Sequence, residues 1–82
     1  MLKRGSVVVS LRGRDGKRTM AVLDVTPEGV WVADGQKRPI ERPKRKNPRH
    51  LAPTGAIVDE TSMATNRELR RALAELGRAQ GL

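Results

Sequence analysis

The residues with chemistry to offer in this sequence are cations. Arg12-Gly13-Arg14-Asp15-Gly16-Lys17-Arg18 places four bases and one acid around two glycines, and Arg42-Pro43-Lys44-Arg45-Lys46-Asn47-Pro48-Arg49 places five bases with no acid. Lys37-Arg38 stands between the two. Side chains of this kind, presented from several turns, donate charge-assisted hydrogen bonds to phosphate oxygens and need no cofactor to do so.

Other chemistry finds little to work with. His50 is the only histidine and there is no cysteine, so neither a nucleophile–base pair nor a His/Cys metal cluster can be assembled. Asp15, Asp24, Asp34 and Glu41 carry oxygens of the kind that hold Mg²⁺, yet each has a simpler place in a turn or an ion pair. Gly13, Gly16 and Lys17 glance at a phosphate loop, but the spacing is too short, and Arg18 stands where Ser or Thr would hold the metal. The expectation is a protein that is not an enzyme and carries neither metal nor cofactor.

The charge is unevenly spread. Residues 1–50 carry 13 Lys and Arg against five Asp and Glu, whereas residues 51–82 carry four of each, so the net charge of +8 lies wholly in the first part. Such a basic part favours a polyanion, most often nucleic acid. At 82 residues the chain is one small domain, able to bury about 60% of its unfolded surface. Without cysteine it suits a reducing compartment. Its apolar runs fall far short of the roughly 20 residues that span a bilayer, and no signal-peptide pattern opens it, so a soluble cytoplasmic protein with no membrane partner is expected.

The elements that must position the cations read as strands. Val7-Val8-Val9 is β-branched, and Met20 to Val25 resumes the apolar pattern, which makes a hairpin with a cationic tip. Thr26-Pro27-Glu28-Gly29 reads as a β-turn and Val30-Trp31-Val32-Ala33 as a third strand. Asp34-Gly35 is a two-residue hairpin signal, which predicts a fourth, edge strand over 36–41, with Pro39 in it. The stretch 42–49 is expected as an exposed basic loop that could track a phosphate backbone, its plain alternative being a solvated linker. His50-Leu51 would close the sheet.

Pro53 and Gly55 then mark a break. Thr65 and Glu68 fit a capping box, and Leu69, Ala72, Leu73 and Leu76 share one helical face. The division expected is a basic barrel over 1–52, a connector over 53–64 and a helix over 65–80 packed on the barrel or on a partner. The fold class is mainly β: about five short strands, too few for a sandwich, make a small partly open barrel. Val8, Met20, Val22, Val30, Val32, Ile40 and Leu51 would fill it, while alternation cannot say which of Val7 to Val9 points inward. Trp31, the only aromatic residue, reads as a core plug or a docking surface for the helix rather than a base platform.

In order, Gly5, Val7-Val8, Ser10, Gly13-Arg14-Asp15, Ala33-Asp34-Gly35, Glu41-Arg42-Pro43-Lys44-Arg45-Lys46-Asn47, His50-Leu51 and the segment Thr65-Asn66…Glu68-Leu69-Arg70…Ala72-Leu73 resemble a KOW-domain RNA-binding protein. The likeness is to small bacterial relatives of the archaeal and eukaryotic large-subunit ribosomal proteins that carry a KOW segment. It covers nearly the whole chain. The chain departs from the family pattern where Gly16 follows Asp15 directly and where Thr19-Met20 replaces the usual aromatic. The resemblance implies an SH3-like barrel that binds structured RNA, typically ribosomal RNA, with Gly13, Arg14, Asp15, Gly16 and Lys17 in the signature loop.

Together these readings name Arg12, Gly13, Arg14, Lys17, Arg18, Lys37, Arg38, Arg42, Lys44, Arg45, Lys46 and Arg49 as the RNA-binding residues of a monomer. With a single ring, recognition of folded RNA through phosphates and shape is expected over stacking on single strands. The competing reading is a protein-interaction module of the transcription or translation machinery, with Leu69, Leu73 and Leu76 as the seam for ribosomal or transcription proteins.

Overall fold

Three consecutive valines resolve into two faces. The structure, a computed structural model, describes residues 1–13 and 16–80. Strand β1 (Ser6–Ser10) pairs antiparallel with β2 (Thr19–Thr26), Val8 opposite Met20 and Val7 opposite Ala21. Successive strand residues point to opposite faces, so Val8 joins Met20, Val22, Val30, Val32 and Leu51 inside, with Leu2 packed against them. Val7 joins Ala21, Leu23 and Ala33 on the other side. A sheet covered on both faces has no use for apolar–polar alternation, hence the unbroken Val run.

Strand β3 (Gly29–Ala33) follows the expected turn, β4 is Lys44–Lys46, and a 3₁₀ turn over Pro48–His50 leads into β5 (Leu51–Ile57). The five strands form one antiparallel sheet in the order β4-β3-β2-β1-β5, a small, partly open SH3-like barrel. Among the described residues no helix is long and apolar enough to cross a membrane.

Helix α1 (Asn66–Gln80) is capped by Thr65, whose Oγ1 accepts from the Glu68 amide at 3.1 Å. Its Leu69 and Leu73 are buried against Val7, Ala21, Leu23 and Ala33 of the sheet and Val58 and Met63 of the preceding turn. Ala72 and Leu76 pack around that cluster. The leucine stripe thus has its seat within the chain.

Four expectations are corrected. Residues 36–41 form no strand, because their donors are already engaged. The Gln36 and Arg38 amides both donate to Asp34 Oδ1 at 2.9 Å, and the Ile40 amide donates to Asn66 Oδ1 at 2.8 Å. Ile40 accordingly packs against the outer cluster rather than filling the barrel.

The fourth strand lies instead inside the basic stretch expected as an exposed loop. Lys44, Arg45 and Lys46 pair with Val32, Trp31 and Val30, and Lys46 is only 9% exposed. The sheet also runs on past residue 52. Pro53 sits in β5 at the sheet's edge, where its missing N–H is tolerated, and Gly55 takes a φ of +86° where the β1–β5 register shifts. Trp31, finally, belongs to neither core cluster: half-buried on β3, it lies across from Asp24 and Arg45.

Candidate nucleic-acid interface

The hairpin tip is built by its backbone. Ser10 and Arg18 close it, with the Ser10 amide donating to the Arg18 carbonyl at 3.0 Å and the Lys17 amide to the Ser10 carbonyl at 2.6 Å. Lys17 takes a left-handed φ of 64°, a conformation non-glycine residues adopt in tight turns. The Arg12 carbonyl accepts from Ser10 Oγ and from Lys46 Nζ, each at 3.1 Å. Arg12, Gly13, Gly16 and Lys17 are exposed on this frame. Arg14 and Asp15, which the sequence places at the very tip, lie outside the described residues.

Arg18 is held differently. Its Nη1 donates to Asp34 Oδ2 at 2.9 Å, with 26% of the Arg18 side chain exposed and 2% of the Asp34 side chain. Asp34 also accepts from the Gln36 and Arg38 amides, and its own amide donates to the Arg38 carbonyl at 2.9 Å. One carboxylate therefore folds the loop over 34–38 and ties it to the tip, bringing Lys37 and Arg38 to the same end as Lys17 and Arg18. Its place in an Asp-Gly pair concealed this, since the pair reads first as a hairpin turn; the readable signal was the small polar side chain that builds Asx turns.

The second basic stretch divides. Arg42, Arg45 and Arg49 are exposed, Lys44 is half-buried, and Lys46 is buried with its ammonium on the tip's backbone. Lys44 and Lys46 alternate with Arg45 along β4, so they share one face and Arg45 takes the other. The Arg45 guanidinium reaches the Glu28 carbonyl at 3.5 Å, toward the β2–β3 turn. Of the twelve expected residues, the structure thus gathers Arg12, Gly13, Lys17, Arg18, Lys37, Arg38 and Lys46 around the tip, and sets Arg45 apart.

The sequence also concealed an ion pair that braces the amino-terminal arm. Arg4 engages Glu60 with two bonds of 2.8 Å and donates its third nitrogen to the Leu23 carbonyl at 2.9 Å. This hydrogen bonding holds the Glu60 carboxyl below its usual range and raises Arg4. Asp59 beside it is lowered by the Ser62 amide. Partners separated by 56 positions leave no local trace.

A partly open SH3-like barrel, backed by one helix and carrying its cations on loops and an edge strand, defines a class of small basic barrel proteins. No protein-family model matches the chain. It is 35% identical over 75 residues to the large ribosomal subunit protein eL14 of Pyrobaculum aerophilum, covering 89% of this chain and 72% of the relative. It is 33% identical over 76 residues to eL14 of Pyrobaculum neutrophilum, covering 92% and 74%. With eL14 of Staphylothermus marinus the identity is 28% over 75 residues, covering 89% and 77%. The chain belongs to the eL14 family of large-subunit ribosomal proteins. That is a family of ribosomal proteins and not of enzymes.

Proposed function

We propose that this protein is a ribosome-associated RNA-binding protein of the KOW type, acting as a monomer in the cytoplasm and recognising structured ribosomal RNA through its phosphates. Membership in the eL14 family carries the reading. The exposed cations Arg12, Lys17, Lys37, Arg42, Arg45 and Arg49 support phosphate contact as its means. Among the described residues the acid paired with Arg18, Asp34, is buried and already hydrogen-bonded, which limits its own repulsion of a polyanion. Lys46 takes a different role from its neighbours: with its ammonium on the Arg12 carbonyl it shapes the tip from within.

The test is a titration of the full chain with purified large-subunit ribosomal RNA at several salt concentrations. With about five or six phosphates engaged, log affinity is expected to fall against log salt with a slope near −4 to −5. Replacing Arg42, Arg45 and Arg49 together by Ser should shallow that slope by about two to three, with the melting temperature kept, since all three side chains are exposed. A parent slope near zero would refute phosphate recognition. Co-sedimentation with large subunits in a gradient checks the association itself.

A further inference from the structure

Helix α1 belongs to a segment with no net charge, yet its charges are not mixed. At 3.6 residues per turn, the buried Leu69 and Leu73 set the inward direction. Arg67, Arg71 and Arg78 then point away from the sheet, Arg70 lies on one flank, and Glu68 and Glu75 lie on the other. The acidic flank borders the turn at Asp59, with Glu75 beside Ala72 and Leu76. The Arg70 flank borders the β1–β2 tip.

Between that flank and the tip runs an open groove of about 440 Å³, lined by Lys17, Arg18, Asp34, Gln36, Arg70 and Ala74 among others. Among the described lining residues three are cations and one is an acid, the buried Asp34, already engaged by three donors. Among the described residues neither the Lys17 ammonium nor the Arg70 guanidinium has an ion-pair partner. The two walls are fixed relative to each other. Asp34 binds Arg18 on the tip, while the next residue, Gly35, lies so close to the helix that a Cβ there would run into the Asn66 carbonyl and come within 3.0 Å of the Arg70 amide.

We propose that this groove seats the phosphate backbone of the bound RNA, with Arg70 of the helix and Lys17 of the tip donating to it from opposite walls. The inference rests on the RNA-binding reading above and adds the helix to the interface. Arg18, held by Asp34, lines the groove between them and adds a third cation to it. Asp34 is a positioning residue here: it sets the guanidinium plane and the spacing of the walls. The groove is open and polar, which suits a charged backbone that passes through and keeps part of its hydration.

The experiment compares four full-length variants with the parent, using purified large-subunit ribosomal RNA as the probe and checking each fold by thermal melt. Arg70→Gln is expected to bind about three- to tenfold more weakly, with the salt slope shallower by about one, the loss of one phosphate contact. Lys17→Gln should do the same. Arg71→Gln removes an equal charge from the outward face of the same helix and should change affinity less than about twofold. Glu75→Gln, on the acidic flank, should leave binding unchanged. Melts of Arg70→Gln and Arg71→Gln are expected to match the parent, since both side chains are exposed. If Arg70→Gln binds like the parent while Lys17→Gln weakens, the helix is not part of the interface and the proposal falls, with RNA binding itself intact. If Arg71→Gln weakens binding as much as Arg70→Gln, diffuse charge rather than the groove is at work, and the proposal falls again. A parent without salt-dependent binding overturns both readings.

Discussion

The two faces of the sheet are covered by the same kinds of side chain but are assembled in different ways. The inner face draws Val8, Met20, Val22, Val30 and Val32 from three strands joined in order, and adds Leu51 from β5. The outer face must bring in Val58 and Met63 from a turn and Leu69 and Leu73 from a helix, with Ile40 from a loop packed alongside. Its seams are polar and specific: Asn66 receives the Ile40 amide, Gly35 abuts the first helical turn, and Arg4 grips Glu60. Strand alternation builds the inner face by repetition, whereas the outer one depends on a few single contacts. The outer face is therefore where single substitutions should act most selectively, and it is also the face that brings the helix to the cationic tip.

The largest effect is expected from the centre of each face. Leu69→Ala, at a fully buried position, should lower stability by about 3–5 kcal/mol, and Met20→Ala on the inner face by about 2–5 kcal/mol, through lost transfer and a cavity. Chemical denaturation followed at Trp31 tests whether the faces are coupled. One cooperative transition in both variants means that they form a single unit. A Leu69→Ala protein that unfolds in two steps would mean that the inner barrel stands alone.

Next comes Asp34→Ala, which removes the acceptor of three hydrogen bonds and leaves Arg18 without its partner. The expected loss is about 2–4 kcal/mol, below the range for a fully buried pair because Arg18 is partly solvated. Asp34→Asn, which keeps a carbonyl oxygen for the loop amides, should lose less. Equal losses would locate the whole effect in the ion pair.

Gly35→Ala should cost about 1–3 kcal/mol from the left-handed backbone alone, at a φ of +82°, with the clash against the helix added to it. Its signature is selective. Amide exchange is expected to quicken in the first turns of α1 and in the loop over 34–40, while the β1–β2 pairing keeps its protection. Uniform loss across the sheet would blur the distinction between the faces.

The smallest effect is pH-dependent. Because Arg4 lowers Glu60 in the folded chain, the pair's stabilisation is present above the unfolded carboxyl value near 4.5 and is lost as the pH falls through the lower folded value. Asp59, lowered by the Ser62 amide, acts with the same sign. Melting temperatures below about pH 4.5 should therefore fall less steeply in Glu60→Gln than in the parent, with the two close together only at the acid end. An unchanged acid slope would mean that the exposed pair contributes nothing to closing the outer face.

What the sequence determined by itself is whatever its local periods carry. The run Val7 to Val9, the turn over 26–29 and the alternation through Val30 and Val32 specify three strands and almost the whole inner core, and Thr65 with Leu69 and Leu73 specifies a capped helix with a face to bury. These features depend on neighbours a few positions apart, so they can be read without knowing the fold. The tertiary structure alone decided the fate of residues 34–46. Asp-Gly before a strand-compatible run is a sound hairpin signal, but a backbone amide takes whichever acceptor is placed best. The Asp34 carboxylate and an Asn66 oxygen 26 positions away from Ile40 supplied better ones. With that segment withdrawn, the open edge of β3 was paired by Lys44 to Lys46, and a lysine that composition assigned to solvent was buried at the tip's backbone. The groove beside Arg70 has the same origin, since two walls from opposite ends of the chain have no common pattern until the packing brings them together.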